Sequence, residues 1–200
     1  MQILRRADFK MSAWKNGGGR THEVFRAPAL GEPFLWRLSL AEVASSGPFS
    51  DFSGYQRLLT LLDGAFTLRF SDGEHVKLDR VGDLVRFDGA RGVQCELAGR
   101  PSTDLNLIVA HGLRPVTAQV ADLAAPLAVH LVSGATLVVF AVAGAVEIVG
   151  APGTRLETWD AAIDSGAATR VVRVASAPDS PSARVFLAEF GDTGTQTASS

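Results

Sequence analysis

Short apolar or alternating runs, broken by glycine turns, set the rhythm of this chain. Leu58-Leu59-Thr60-Leu61-Leu62, Phe66-Thr67-Leu68-Arg69-Phe70, His75-Val76-Lys77-Leu78 and Asp83-Leu84-Val85-Arg86-Phe87 follow one another, with Asp63-Gly64, Ser71-Asp72-Gly73 and Val81-Gly82 between them. Runs of this length separated by Asp-Gly and other glycine turns predict consecutive antiparallel strands. Similar runs recur at 105–110, 137–142, 146–149, 170–174 and 184–190. No segment sustains a helical period for three turns. The one stretch that approaches it, 116–123, is short and is expected to be the crossing segment between two halves. The expected fold class is all-β.

The pattern also echoes itself. Leu61-Leu62-Asp63-Gly64-Ala65-Phe66-Thr67-Leu68 lines up with Val142-Ala143-Gly144-Ala145-Val146-Glu147-Ile148 at an offset of 80 residues. Further on, Gly82-Asp83-Leu84-Val85 opens a strand in the first copy, and Trp159-Asp160-Ala161-Ala162-Ile163 does so in the second. Strand, glycine turn, strand, loop, strand, Gly-Asp turn, strand is the order of a cupin-type jelly roll, so two degenerate copies predict a bicupin of two jelly-roll β-barrels. The expected division is 1–113 for a first barrel with a ligand pocket, 114–190 for a degenerate cupin-like barrel with some strands shared, and 191–200 for a flexible tail without apolar anchors.

Side chains two apart on a strand share a face. Thr21 with Glu23, Arg37 with Ser39, Tyr55 with Arg57, and Asp104 with Asn106 are therefore four polar pairs, while Leu38, Leu40, Leu58, Leu105, Leu107 and Val109 alternate with them and can supply core. A wet outer face would give the same alternation. Residue type argues for a shared pocket instead, because arginine, aspartate, asparagine and tyrosine are suited to directional recognition. Arginine presents a planar fork of donors, so Arg37 and Arg57 suit a dicarboxylate or an amino-acid-like ligand. Upstream, Trp14-Lys15-Asn16-Gly17-Gly18-Gly19-Arg20-Thr21-His22-Glu23 sets three glycines among polar residues, which costs backbone entropy unless the chain needs positive φ or a close approach. Trp14 and Trp36 can wall the pocket or fill core.

Composition removes several function classes. The 200 residues are 46% hydrophobic, enough for a packed core, and the formal net charge of −2 offers no basic face to a phosphate backbone. Nucleic acid and membrane are thus not expected as partners. Charges at Arg5, Arg6 and Asp8 interrupt any apolar leader, and no apolar stretch approaches the ~18 residues of a bilayer span, so a soluble, unexported protein is expected. Cys95 is the sole cysteine and reads as a buried, inert strand residue. The four histidines, His22, His75, His111 and His130, include no His-x-His pair, so no metal and no cofactor is expected. Nucleophile elbow, phosphate loop and dinucleotide fingerprint are all missing.

The ordered set Trp14-Lys15-Asn16-Gly17-Gly18-Gly19-Arg20-Thr21-x-Glu23, Trp36-Arg37-Leu38-Ser39-x-Ala41, Gly47-Pro48-Phe49-Ser50-x-Phe52-x-Gly54 with Arg57, and Thr103-Asp104-x-Asn106 closely resembles the HutD/Ves family. The motifs span 14–106; the second half is similar mainly through Trp159-Asp160-Ala161. The resemblance implies a bacterial, cytoplasmic bicupin in which one barrel binds ligand and the other is largely structural. It further implies a regulatory protein of histidine utilisation that binds a carboxylated intermediate such as N-formylglutamate or urocanate. The ligand-binding set it implies is Lys15, Asn16, Gly17, Gly18, Gly19, Arg20, Thr21, Glu23, Trp36, Arg37, Ser39, Arg57, Asp104 and Asn106, with Glu23 and Arg37 able to pair internally. Two other readings stay open. One is a metal-independent enzyme acting on a small polar metabolite, with Glu23 or Asp104 as general base. The other is an interaction module in which the doubly apolar strand at 137–142 buries against another barrel, within the chain or in a homodimer.

Overall fold

The computed structural model of the protein describes residues 1–28, 33–113, 116–150, 154–166 and 168–191. Among these are nineteen strands, one 3-10 turn at Arg6–Asp8 and no α-helix. The first eleven strands are β1 (Gln2–Leu4), β2 (Lys10–Ala13), β3 (Gly19–Ala27), β4 (Trp36–Val43), β5 (Gly47–Pro48), β6 (Tyr55–Asp63), β7 (Phe66–Phe70), β8 (His75–Leu78), β9 (Leu84–Asp88), β10 (Val93–Leu97) and β11 (Ser102–Ala110). The remainder are β12 (Val116–Asp122), β13 (Leu127–Leu131), β14 (Ala135–Ala143), β15 (Val146–Val149), β16 (Arg155–Leu156), β17 (Ala161–Ser165), β18 (Arg170–Ser176) and β19 (Arg184–Gly191). Of the expected tail, Gly191 closes β19 and 192–200 lie outside the described residues.

Hydrogen bonding divides the strands into four sheets. In the first half β2-β3-β4-β11-β6-β9 form a large sheet and β5-β10-β7-β8 a small one; in the second, β1-β17-β14-β19-β12 face β13-β18-β15-β16. Each half is therefore a pair of open sheets, where closed barrels were expected. Strand alternation sets the stacking order. On β4 and β11, Trp36, Leu38, Leu40, Leu105, Leu107 and Val109 point to one face and enter a core with Phe140, Val142, Phe186 and Phe190 of the second half. On the opposite face of the same large sheet, Val43, Leu59 and Leu61 meet Phe66, Leu68, Phe70 and Val93 of the small sheet. The second half repeats the scheme, with Leu137, Val139, Val185 and Leu187 against Val146, Ile148, Val172 and Val174. Strand β14 is thus apolar on both faces because the two faces feed two cores of the same chain.

Two readings need correcting. The segment 116–122 is a strand paired with β19 along its whole length, from Val116↔Phe190 to Asp122↔Arg184. Its Val116 and Val120, four apart, satisfy a helical period and a strand period alike; Ala118 between them decides for the strand, since all three pack on the core between the halves. The first residues also belong elsewhere than expected: β1 pairs with β17 of the second half. Arg5 Nη1 then reaches Asp160 at 2.7 Å and the Arg6 amide donates to the same carboxylate at 2.8 Å.

The echo in the sequence is a repeat in space. Ala41, Asp104 and Leu61 lie side by side on three strands, and so do Ala121, Val185 and Ala141. Ser39, Asn106 and Leu59 correspond to Gln119, Leu187 and Val139, while Arg37, Ile108 and Arg57 correspond to Thr117, Glu189 and Leu137. Even the bulge recurs, with the register passing over Leu62 in β6 and Val142 in β14. No helix among the described residues is long and apolar enough to cross a membrane.

Candidate functional site

The repeat breaks in side-chain chemistry. On the inward face of the first large sheet, β4, β6 and β11 present Arg37, Ser39, Arg57, Asp104 and Asn106; the matching positions of the second half hold Thr117, Gln119, Leu137, Val185 and Leu187. The polar set lines a cavity of about 440 Å³ between the two sheets of the first half. Its remaining lining comes from Ala13, Trp14, Lys15 and Asn16 at the end of the β2–β3 hairpin, Thr21 on β3, Ala41 on β4, and Pro48, Phe49, Ser50 and Phe52 in the segment after β4. A volume of that size suits a small metabolite.

Arg37 and Arg57 share one face, on either side of Ile108. Aromatic rings hold them. Arg57 Cζ lies 5.3, 5.2 and 5.1 Å from the ring centres of Phe49, Phe52 and Phe87, and Arg37 Cζ lies 5.4 and 5.3 Å from those of Phe34 and Phe52. Phe52 therefore serves both guanidinium groups. Ring faces offset part of the cost of taking a cation out of water. Arg57 is only 4% exposed, its Nε has no hydrogen-bond partner, and Nη1 makes a long contact of 3.5 Å to the Ser50 carbonyl. Burial pushes its pKa down to about 10, attraction to Asp104 pulls it back up, and Arg37 lowers it further.

Asp104 is the more unusual group. It is fully buried, and neither carboxylate oxygen accepts a hydrogen bond. Desolvation raises its pKa from 3.8 to about 7, with Arg57 acting in the opposite sense. The two attract each other without closing an ion pair, so the buried charges face the cavity rather than each other. Beside them Asn106 Oδ1 is also unpartnered. Buried polar atoms normally find partners, and several orphans on one cavity wall mark it as the place where a ligand, an ion or ordered water could complete them. Cys95 adds nothing reactive: burial, reinforced by Asp104 and Glu96, pushes its thiol up to about 12.

The glycine hairpin supplies the positive φ and the close approach its composition suggested, with Gly17 at φ 71° and Gly19 packed against β4. The Trp14 amide donates to the Gly19 carbonyl at 2.9 Å, and the Ala44 and Ser45 amides donate to the Gly18 carbonyl at 2.9 and 3.2 Å. Asn16 Oδ1 accepts from the Gly18 amide at 3.0 Å, and Trp14 Nε1 donates to Thr21 Oγ1 at 2.8 Å. These bonds bind the hairpin to the end of β4 and fix the Trp14 wall. Gly19 is required by contact, since a Cβ there would come 2.3 Å from the Glu42 carbonyl oxygen and 3.1 Å from the Trp14 ring. Gly19→Ala is expected to cost about 1–3 kcal/mol, a fall in melting temperature of roughly 2–12 °C that a thermal scan measures. An unchanged melting point would mean the hairpin yields freely.

Of the residues singled out from sequence, Lys15, Asn16, Thr21, Arg37, Ser39, Arg57, Asp104 and Asn106 line the cavity. Gly17, Gly18, Gly19, Arg20, Glu23 and Trp36 do not. Arg20 is exposed and pairs with Glu42 at 2.6 Å, where His22 Nε2 also sits 2.7 Å from the other carboxylate oxygen. Burial nudges the Glu42 pKa up, but the hydrogen bonds from Arg20 and His22 leave it net lowered. Trp36 stacks on Phe25 at 4.7 Å and meets Phe190 edge-on at 5.1 Å, in the core between the halves. Tyr55 donates to the Phe34 carbonyl at 2.9 Å. Phe49, Ser50 and Phe52 were missing from the expected set. Their signal was two aromatics three apart in a segment that does not alternate.

A cupin-type metal does not fit these donors. His22 is engaged by Glu42, His75 is exposed on β8, His111 lies 3.2 Å from Asp88 and His130 is on β13. Among the described lining residues there is no histidine and a single carboxylate, Asp104, which stands among arginines. Among the described residues no group of three or more His, Cys, Asp or Glu comes together to hold a metal ion.

Comparison with known proteins gives a consistent outcome. A family model described as HutD matches residues 6–179. An uncharacterised 21.2 kDa protein from the hutC 3′ region of Pseudomonas putida is 41% identical over 111 residues, 55% of this chain and 58% of that protein. Protein Ves of Citrobacter koseri is 31% identical over 113 residues, 56% and 59% of the two chains. The chain thus matches a little over half the length of these curated relatives. Among solved structures, HutD from Pseudomonas fluorescens superposes with a TM-score of 0.84 at 31% identity, over 96% of this chain and 99% of the other. An oxalate decarboxylase from Lactobacillus farciminis reaches 0.68 at 8% identity over 96% and 86%, a likeness of fold alone that places the sheets in the cupin class.

Proposed function

The chain belongs to the HutD family, and from that premise we propose that it is a small-molecule-binding regulatory protein whose ligand is a carboxylated intermediate of histidine degradation, N-formylglutamate or urocanate. The single observation that carries this reading is the buried Arg57, cradled by three aromatic rings with donors left over, on the wall of a metabolite-sized cavity. Such a guanidinium is an anchor for a carboxylate, and Arg37 across Ile108 offers a second. In this reading each half is a degenerate cupin unit. The first binds, and the second, with leucine and valine in place of the charged wall, braces it through the common core.

A thermal-shift titration with N-formylglutamate, urocanate, formiminoglutamate, glutamate and histidine tests the proposal. Ligand at about a hundredfold over its dissociation constant adds roughly 2.7 kcal/mol, a rise of about 5–10 °C for a chain of this size. A shift with one carboxylated intermediate, lost in Arg57→Ala, is the expected result. No shift with any of the panel sinks it.

One observation favours a second reading. A cavity carboxyl held near neutral pH is what a general base requires, and Asp104 is such a group. Glu23 is not among the cavity-lining residues. Turnover of a panel compound, abolished by Asp104→Asn, would support an enzyme; a stable mixture after long incubation counts against one.

A further inference from the structure

Resting on the carboxylate-binding reading of the same cavity, we propose that Asp104 is a specificity-determining residue that selects ligands bearing an N–H donor beside their carboxylate. An acid without that donor binds only when Asp104 takes up a proton.

Asp104 lacks every hydrogen-bond partner a buried carboxylate ordinarily has. Its two oxygens lie fully buried with no donor, and the arginine on the neighbouring strand does not reach them as an ion pair. An ionised carboxylate offers only acceptors, so the group that completes it must donate. A ligand carboxylate seated on Arg57 brings negative charge close to Asp104 and raises the cost of leaving Asp104 ionised. That cost falls if the ligand also extends an N–H to it, and otherwise a proton must enter with the ligand. The polar and charged groups that share the cavity wall with Asp104 include Arg57 on β6, Asn106 on its own β11, Ser39 and Arg37 on β4, and Lys15 of the β2–β3 hairpin, with the neutral Cys95 thiol on β10 nearby. None of these is a base that competes for the proton. Asn106 supplies one more orphan acceptor, its Oδ1, on the same wall.

The matching positions of the second half strengthen the assignment. Val185 stands where Asp104 does, Leu137 where Arg57 does, and Leu187 where Asn106 does. The charged acceptor and the charged donor vanish together, which is the outcome expected of two parts of one recognition device.

The test compares N-formylglutamate with its N-methyl derivative, in which only the N–H is gone, and with glutarate, by calorimetric titration at pH 8.5 and pH 6. Wild type at pH 8.5 is expected to prefer N-formylglutamate over the N-methyl compound by roughly ten- to hundredfold. In Asp104→Asn, whose amide both donates and accepts, that ratio is expected to fall to about threefold or less. If bulk rather than the lost donor excluded the methyl group, the variant would still discriminate, and the inference would be overturned. Glutarate affinity is expected to rise about thirtyfold between pH 8.5 and pH 6 with uptake of a proton, as the protonated share of a group titrating at about 7 does, while N-formylglutamate affinity changes little. Equal binding of all three by wild type overturns this inference and leaves the carboxylate reading standing. Binding of none of them overturns both.

Discussion

Asp104→Asn is expected to stabilise the ligand-free protein by on the order of 4 kcal/mol at pH 8 and by almost nothing at pH 4. The direction follows from which state holds the proton. In the unfolded chain Asp104 titrates near its ordinary value, whereas burial raises it to about 7 in the folded protein. Between those values the folded state binds more protons, so stability falls as pH rises, by ~1.4 kcal/mol per pH unit, and levels off above pH 7. Asparagine has nearly the shape of the protonated acid and never charges. Denaturant titrations of both proteins at several pH values should show a slope between pH 4 and 7 in wild type and a flat line in the variant. The exposed acids Asp63, Asp72, Asp79, Asp122 and Asp179 do not blur the result. Their pKa values are lowered, chiefly by hydrogen bonds from arginine, lysine or backbone, so their contribution is lost below the Asp104 window, as pH falls through the acid range. A wild-type protein equally stable at pH 5 and pH 8 would show that water or a counter-charge reaches Asp104. A variant that gains stability while losing ligand discrimination would display the usual antagonism between a strained site and a stable fold.

Phe186→Ala should cost about 3–5 kcal/mol and lower both halves together. Phe186 on β19 is fully buried and lies directly opposite Phe140 on β14, in the core that also takes Leu38, Leu58, Leu105 and Leu107 from the first half. Removing a ring there leaves a cavity with walls from both halves, and neither can collapse without dragging the other. Circular dichroism and tryptophan fluorescence should therefore report one coincident transition in urea for wild type and variant alike. Trp14 reports on the first half, Trp36 on the core between the halves, and Trp159 on the second half where it packs against that core. Two separated transitions, with only the later half weakened, would show that the shared core is dispensable.

Much of this architecture was legible because strand alternation is a local property. The runs at 58–62, 66–70, 75–78 and 84–87 became β6 to β9 with little change, and the offset of 80 reappeared as matched registers and a matched bulge. The polar pairs Arg37/Ser39 and Asp104/Asn106 were equally readable, and so was their placement on one face. Strands β1, β5 and β16 were not, because two or three residues carry no period. The pairing of β1 and β5 is set by neighbours about a hundred and sixty and about fifty positions away, such as Ala161 to Ile163 for β1, and β16 joins the nearby β15 through only two residues.

What sequence alone determined, then, was the element type, the repeat and the family, since each depends on residue order over a few positions. Which face is inside was decided only in three dimensions. Leu38 and Leu105 could have faced any core; the second half supplies the surface that buries them, and this turns Arg57 and Asp104 onto the wall of the cavity. The same decision separates Trp36, spent on the inter-half core, from Trp14, which walls the cavity, although both precede basic residues in similar motifs. It also gives Asp104 its character. Its identity is a letter in the chain, but its raised affinity for a proton comes from the absence of water and of partners, and only the packed sheets on either side produce that.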